Sequence, residues 1–334
     1  MPIIRCLLFS LWVLFLSSVL GGRNDHAPIP HIEERTYKGE IRLTDFITDE
    51  ALVLNPATAK SASPDAVYVL DYGGPSIKKF TSSGILAETF GNGRGSGPGE
   101  FDNPTDFDVA PDGDVYVSDP VNGRVSHFAP NGTHLGDYRT EHRPHRIAAF
   151  ERGFVIMALS AEHMFEAYDG DERTTTYDTP SEYSLRESSA FDGFIAGTTQ
   201  RGVVYAGLWY GRLIAFDRSG TIRFNRPSRN ESSPPNIIRT RSGDTVTERV
   251  DRENASISAL SVCIDEGYTY VLSQDFERDG VAVLDRYHLE SGDYEASFRL
   301  EYEDARLRDV AVSKNRLYAA AYNGVIVAGE IPGE

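Results

Sequence analysis

Three histidines lie close together in the chain and are the first candidates for chemistry. Two residues separate His142 from His145, and His163 follows in the same region. Imidazole nitrogens are common zinc ligands, and a zinc ion with an open coordination position activates water. The group therefore raises the hypothesis of a metal-dependent lyase or hydrolase. The alternative, which we favour, is that the three side chains are solvated loop histidines.

Two further patterns resemble ligand-binding motifs but lack essential parts. The glycine-rich residues 91–99 have neither the lysine nor the hydroxyl residue that a phosphate-binding loop places after its last glycine. Asp71 and Asp119 could ligate calcium, but no dense run of oxygen donors surrounds either residue. We expect their carboxylates to accept hydrogen bonds from turn backbone instead. No metal or cofactor is therefore predicted.

An internal repeat places these residues on defined elements. Residues 55–90 align without a gap on residues 103–138, and nine of the 36 positions are identical. The identities fall at turn and core positions, including an Asn-Pro pair, a Val-Tyr-Val run, and single Asp, Phe and Gly positions. A period of about 40 to 50 residues indicates a repeat architecture.

Each repeat predicts four short strands, labelled a to d. In the second repeat we expect strands at residues 105–109, 114–118, 124–128 and 134–139, separated by turns rich in Pro, Asp, Asn and Gly. Four antiparallel strands per period are typical of one blade of a β-propeller. Weaker copies begin near residues 154, 203, 268 and 316. The sequence therefore predicts an all-β, six-bladed propeller of four-stranded antiparallel blades.

The sixth copy reaches the end of the sequence before a fourth strand. Residues 36–43 precede the first blade and alternate in polarity like a strand. We expect this N-terminal strand to complete blade six, which closes the ring and removes an exposed sheet edge.

The first two repeats resemble the NHL repeat. The resemblance rests on the glycine-rich residues 90–101, the Pro-Asp-Gly at 111–113, the Val-Tyr-Val-Ser-Asp at 115–119 and the Asn-Gly-Arg-Val at 122–125. The strong match covers roughly residues 67–138, and several other copies lack the Asp and the Asn-x-Arg elements. The resemblance implies a β-propeller, and the family includes binding scaffolds and a few lyases, so it does not fix the function.

In the metal-holding lyases of that family the ligands come from different blades, whereas all three histidines here fall on one blade. A binding function is therefore favoured over catalysis. A lyase or hydrolase at the mouth of the central channel is the alternative.

Turn order divides the propeller into two rims. The b–c and d–a loops share one rim, which has the longer loops and is called the loop-rich rim below. Binding residues concentrate on such loops. Exposed Trp and Tyr rings suit stacking on a sugar or gripping a peptide, although each ring could instead pack on a neighbouring blade. The candidate ligand-binding residues are Tyr72, Asp119, His145, His163, Trp209, Tyr210, Phe276 and Tyr322.

The N-terminus predicts export. Residues 1–22 combine one early positive charge, an apolar run too short to span a membrane and a small-residue end, as in a secretory signal peptide. Retention as an N-terminal anchor is the alternative. We expect residues 23–35 to form a linker and residues 36–334 the propeller, with an insertion at 225–255 that is either a solvated loop or a flap over a ligand.

Charge and cysteine content limit the partners. The formal net charge of −17 argues against nucleic acid and anionic lipid. Only Cys263 remains after signal cleavage, so no intramolecular disulfide is expected; it lies in an apolar strand pattern and is predicted to be buried. The mature protein is expected to be an acidic monomer, without membrane insertion, that binds a protein, peptide or glycan.

Overall fold

The computed structural model describes residues 31–32, 34–47, 52–158, 163–178, 189–198, 202–243, 245–275, 281–302 and 306–333. Within them the chain folds into six antiparallel blades arranged in a ring, as the repeat predicts. The expected signal peptide, residues 1–22, lies outside the described residues. Among the described residues, none belongs to a helix long and apolar enough to cross a membrane.

The first three blades each contain four sequential strands. The strands of blade 1 are Pro56–Ser63, Ala66–Asp71, Ser76–Thr81 and Leu86–Phe90. The strands of blade 2 are Asp106–Val109, Val115–Asp119, Arg124–Phe128 and His134–Arg139. The strands of blade 3 are Arg146–Ala149, Phe154–Met157, Phe165–Asp169 and Glu172–Tyr177. The aligned Val67 and Val115 pair with Phe80 and Phe128, so the repeat found in the sequence is a repeat of register.

Blade 4 follows the same order, and blades 5 and 6 recruit N-terminal residues. The strands of blade 4 are Gly193–Thr198, Gly202–Gly207, Arg212–Phe216 and Ile222–Pro227. The sequential strands of blade 5 are Ser261–Asp265, Tyr268–Asp275, Val281–His288 and Tyr294–Glu301. Those of blade 6 are Leu307–Ser313, Arg316–Ala321 and Ile326–Glu330.

An N-terminal strand closes the ring, but it is not the expected segment. Thr44–Ile47 pairs antiparallel with Ile326–Glu330 and supplies strand d of blade 6. Tyr37–Arg42 instead pairs in parallel with Tyr294–Glu301 as a fifth strand of blade 5. The assignment of residues 36–43 to blade 6 is therefore wrong. Alternating polarity identifies a half-buried strand but not the sheet edge on which it lies.

A buried ion pair anchors the N-terminal segment to blade 5. Arg35 donates to both carboxylate oxygens of Asp285, from Nε at 2.9 Å and from an Nη at 3.1 Å, and the same Nη donates to Asn230. Both charged side chains are almost fully buried. The chain therefore runs along blade 5 before it crosses to blade 6.

Six apolar clusters of the core lie one between each pair of adjacent blades in the described part of the chain, and a smaller seventh lies under the insertion after blade 4. Between blades 1 and 2, for example, Phe90 packs against Phe128 at 6.3 Å between ring centroids. Cys263 is buried in strand a of blade 5, as predicted, within the cluster shared with blade 6. Burial raises the pKa of its thiol to about 12. Because each blade buries its faces on two neighbours, the ring fixes the position of every loop on its rims.

The insertion after blade 4 is partly a β-hairpin. Its strands are Ile237–Ser242 and Thr245–Val250, and a short 3-10 helix follows at Arg252–Asn254. Before the hairpin, Asn230–Glu231 pairs with His31–Ile32. The insertion therefore contains ordered strand pairing, and its role as a flap over a ligand stays a prediction.

Candidate functional site

The six a strands surround a central channel. Each lies at one edge of its blade, and neighbouring a strands contact each other around the whole ring. The edge of a strand presents backbone groups that have no partner within its own sheet. Carboxylates from the preceding blade satisfy several of them: Asp106 and Asp108 of blade 2 accept from the amides of Ile147 and Ala149 in blade 3.

A pocket opens from this channel onto the loop-rich rim, and we call it the channel mouth. It has a volume of about 130 Å³ and is lined by residues from all six blades. Its lining includes Tyr72, His145, Arg146, Asp192, Arg308 and Tyr322. Because its walls come from six distant parts of the sequence, the pocket exists only when the ring is closed.

Arg146 is held at the channel mouth by neutral groups. Its Nε donates to the carbonyl oxygen of Gly193 at 3.1 Å, and one Nη donates to that of Thr105 at 3.4 Å. The guanidinium also lies over the ring of Phe194, 4.7 Å from the centroid. Among the described residues, no carboxylate forms a salt bridge with it.

Arg308 is held in the same way on the opposite blade of the ring. One Nη donates to Asn55 Oδ1 at 3.1 Å and to the carbonyl oxygen of Pro56 at 3.2 Å. Its guanidinium lies over the ring of Tyr322 at 4.3 Å. Within the part of the chain that the structure describes, this arginine also lacks a salt bridge. Two positioned cations therefore border one pocket.

Tyr72 lines the same pocket as these two arginines. Burial raises the pKa of its phenol to about 12, and the charges of Arg146 and Arg308 both oppose that rise. Its hydroxyl is therefore within electrostatic range of both guanidinium groups and remains a neutral hydrogen-bonding group at physiological pH.

Below the mouth, charged side chains line the middle part of the channel, which we call the channel waist. Among them, Lys60 lines both the channel mouth and a second cavity toward the opposite rim. Although burial opposes its charge, the carboxylates of Asp106, Asp309 and Asp108 raise the pKa of the Lys60 ammonium to about 12. Asp309 accepts from the amides of Ala59 and Val310 and from the Ser261 hydroxyl. The Asp309 carboxylate thus has hydrogen-bond donors of its own within the channel.

The channel widens again toward the opposite rim. There a cavity of about 600 Å³ is lined by Asp108, Asp265, Glu266 and Glu290 among others. Burial raises the pKa of both Asp108 and Asp265 to about 6. The channel mouth therefore combines two arginines with carboxylates, whereas the opposite end contains mainly carboxylates among its charged residues.

The three histidines of blade 3 do not converge. His142 Nδ1 lies 2.6 Å from Glu166, His163 Nδ1 lies 2.7 Å from Asp178, and His145 Nε2 lies 3.3 Å from Asp192. Hydrogen bonding to Glu166 raises the pKa of His142. Burial alone would raise the pKa of Asp192, but the charge of His145 holds it below its ordinary value.

Of the three histidines, only His145 lines the channel mouth. In the described ranges, no group of three His, Cys, Asp or Glu side chains is arranged to hold a metal ion.

Asp71 and Asp119 have the turn role expected of them. Asp119 accepts from the backbone amides of Asp102 at 2.7 Å and Asn122 at 3.1 Å. Asp71 accepts from the amides of Leu54, Asn55 and Gly73. Both carboxylates are fully buried. Both oxygens of Asp119 are bonded to backbone amides of the loops around it. A contact between Asp119 and a ligand stays a prediction.

The expectation that Trp209 and Tyr210 are exposed is wrong. Their exposed fractions are 4% and 2%. Trp209 packs with Val250 and Ala255 of the insertion, and Tyr210 packs edge-on against Phe191. The hairpin covers the b–c loop of blade 4, which the repeat pattern alone could not indicate.

The remaining candidates divide between the mouth and other places. Tyr72, His145 and Tyr322 line the channel mouth. His163 is half-buried beside Asp178, and Phe276 lies outside the described residues. Sequence reasoning missed Arg146, Arg308 and Lys60. Each of the three is a charged residue in a strand a that lines the channel, where a half-buried position is more often apolar.

The comparisons with known proteins show the fold alone. The chain matches a streptogramin B lyase at 12% identity over 87% of this chain and 98% of that one, with a TM-score of 0.55. A proposed exported protein from Bacteroides fragilis NCTC 9343 matches at 13% identity over 88% and 95%, with a TM-score of 0.56. The Cps50 (Swd1) β-propeller domain of Myceliophteria thermophila matches at 11% identity over 91% and 100%, with a TM-score of 0.52.

No family model matches the chain, so its resemblance to NHL repeats remains a resemblance. No curated protein matches it either.

Proposed function

We propose that this protein is an exported binding module that takes its ligand at the channel mouth on the loop-rich rim. The observation that carries the proposal is the convergence of aromatic rings and two arginines without a salt bridge in one pocket at the channel mouth. A concave pocket in which a few polar groups converge among apolar walls is the usual form of a ligand site. The ligand is a protein, peptide or glycan, and one end of it enters the pocket, because a volume of about 130 Å³ is too small to hold a folded domain.

The side chains that line the pocket are of the types that commonly bind ligands. Tyr72, Phe194 and Tyr322 offer aromatic surface, and Arg146 and Arg308 offer donors. Aromatic and Arg side chains are enriched among residues that dominate binding energies. Since backbone carbonyls, an Asn amide and ring faces fix both guanidinium groups, little side-chain entropy is lost when a ligand binds.

Export rests on the N-terminal pattern. Residues 1–22 have the features of a signal peptide. One of the proteins that share the fold is a proposed exported protein. An exported acidic propeller would meet its ligand outside the cytoplasm.

Catalysis at the channel mouth is the second candidate, and the His145–Asp192 pair favours it. A histidine held by a buried carboxylate is the usual arrangement of a general base. One of the proteins that share the fold is a lyase. Binding remains the first proposal, because the aromatic rings and positioned arginines of the pocket suit recognition.

A pocket-filling variant tests the proposal. Ala57 lines the mouth from strand a of blade 1, whereas Ala87 is exposed on strand d of the same blade. A panel of short peptides and oligosaccharides is screened by thermal shift, and hits are titrated by calorimetry. Ala57→Phe should weaken binding of a hit at least tenfold, while Ala87→Phe should leave it unchanged. Equal affinity for both variants would place the site elsewhere.

A further inference from the structure

The two arginines of the channel mouth retain charge that the protein itself does not neutralise. Arg146 bonds to backbone carbonyls and Arg308 to a carbonyl and an amide oxygen, all of them neutral acceptors. In a chain with a formal net charge of −17, acidic partners are abundant. Among the described residues, other arginines, such as Arg124 and Arg173, form salt bridges with Asp or Glu. Unpaired, positioned guanidinium groups in a pocket are typical of an anion site.

Two of the carboxylates in the same pocket are already bound by hydrogen-bond donors. Asp106 accepts from the amides of Phe107 and Ile147, and Asp309 from those of Ala59 and Val310. Asp192 is within electrostatic range of Arg146, but its contact is with His145. Asp106 and Asp309 thus have donors of their own, whereas the two arginines are held only by neutral acceptors.

The order of residues along the a strands places the cations nearer the rim. Arg146 is the first residue of its strand and Arg308 the second, while Asp309 follows one step deeper. A strand advances about 3.3 Å per residue. Asp106 bonds to the amide of Ile147, so it also lies deeper than Arg146. A ligand entering from the loop-rich rim meets the arginines before it meets Asp106 and Asp309.

We propose, on the basis of the proposed function, that the channel mouth binds an organic carboxylate, with its anionic group between Arg146 and Arg308 beside the Tyr72 hydroxyl. A planar carboxylate matches the fork of guanidinium donors. The rings of Phe194 and Tyr322, on which the arginines lie, provide an apolar wall for the rest of the ligand. The carboxylates of Asp106, Asp192 and Asp309 in the same pocket favour a monoanion over a phosphate dianion, because repulsion grows with the ligand's charge.

Simple aromatic probes test the charge without a change to the protein. Benzoate, benzamide and benzamidine are nearly equal in shape and differ in charge, and phenyl phosphate adds a second negative charge. We expect benzoate to bind with a dissociation constant of about 10 mM or tighter, as ligands of this size do. Benzamide, benzamidine and phenyl phosphate should each bind at least tenfold more weakly. Benzoate no tighter than benzamide, tighter binding of phenyl phosphate, or no benzoate binding overturns the assignment.

Variants locate the probe. Arg146→Gln and Arg308→Gln should each weaken benzoate at least tenfold but leave benzamide unaffected, since only the charge contact is lost. Arg152→Gln is the control, because Arg152 is exposed on a tight turn beside Asp169. If a glutamine variant does not fold, the charge-conserving Arg→Lys variant at that position replaces it, with partial retention of benzoate binding expected. Benzoate affinity unchanged in both arginine variants would contradict the proposal.

Ala57→Phe separates this inference from the proposed function. Suppose that benzoate and benzamide bind equally well to the wild type and that Ala57→Phe abolishes the binding of both. The channel mouth is then a ligand site, but it does not select for a carboxylate. If benzoate binds and neither Ala57→Phe nor the arginine variants weaken it, both proposals fail.

Discussion

At the scale of single residues, buried carboxylates organise the turns of this propeller. Asp71 and Asp119 occupy the same position of two repeats and gather backbone amides from the loops around them. The sequence predicted this role, because an Asp at the start of a tight loop commonly accepts hydrogen bonds from nearby amides. The repeat thus preserves a hydrogen-bonding function as well as a strand pattern.

Removing one of these carboxylates should destabilise the fold. Asp119→Ala leaves the amides of Asp102 and Asn122 without their acceptor, and each buried unsatisfied group costs about 1–3 kcal/mol. We expect the free energy of unfolding, measured by urea denaturation, to fall by about 2–4 kcal/mol. Asp112→Ala, on an exposed turn of the same blade, should change it by less than about 0.5 kcal/mol. Equal effects would show that the turn does not depend on its carboxylate.

For Trp209, in contrast, the sequence suggested the wrong environment. Its place in a b–c loop suggested exposure, but the hairpin of the insertion packs on it. Trp209→Ala should therefore lower the free energy of unfolding by about 3–5 kcal/mol, as for other buried aromatic truncations. The half-buried Tyr322→Ala is the comparison and should cost less. A Trp209 variant with wild-type stability in urea would show that the hairpin does not cover this ring.

The channel waist makes stability depend on pH. Burial raises the pKa of Asp108 to about 6, above its ordinary value of 3.8, although Lys60 opposes the rise. The folded state therefore holds this proton more tightly than the unfolded chain. That contribution to stability is complete below about pH 4 and is lost as the pH rises through about 6.

Asp108→Asn should remove this dependence, because an amide does not titrate. Between pH 4 and 7, the free energy of unfolding should decline less in Asp108→Asn than in the wild type. Asp112→Asn on the exposed turn should follow the wild type. Parallel curves for Asp108→Asn and wild type would refute the raised pKa.

At the scale of elements, the N-terminal segment performs two tasks. Tyr37–Arg42 extends blade 5, and Thr44–Ile47 completes blade 6. The sequence indicated that an N-terminal strand closes the ring but misplaced it by a few residues. Local alternation contains no information about the Arg35–Asp285 contact, which joins residues 250 positions apart and holds the segment on blade 5.

Truncation distinguishes the two tasks. A chain that begins at residue 52 lacks the closing strand and exposes an edge of Ile326–Glu330, so it should aggregate. A chain that begins at residue 34 retains both N-terminal strands and should remain monomeric in light scattering. A monomeric residue-52 chain with an unchanged melting temperature would contradict closure by Thr44–Ile47.

At the scale of the whole molecule, the sequence predicted the ring better than its site. Turns, alternation and a 48-residue offset are local signals, and they sufficed for six four-stranded blades. The channel mouth was not predictable in the same way. Arg146 and Arg308 are 162 positions apart and meet one pocket only because the ring closes. The candidate residues that proved to line it, such as Tyr72 and His145, lie on the rim that turn order identified.

Crystals soaked in 4-bromobenzoate would show where an organic carboxylate binds, because the anomalous signal of bromine marks the ligand's position. The structure predicts a bromine peak at the channel mouth, with the carboxylate in contact with Arg146 and Arg308 and the ring near Phe194 or Tyr322. A bromine peak on an outer strand or in the cavity at the opposite rim, with the channel mouth empty, would contradict the assignment of the ligand site.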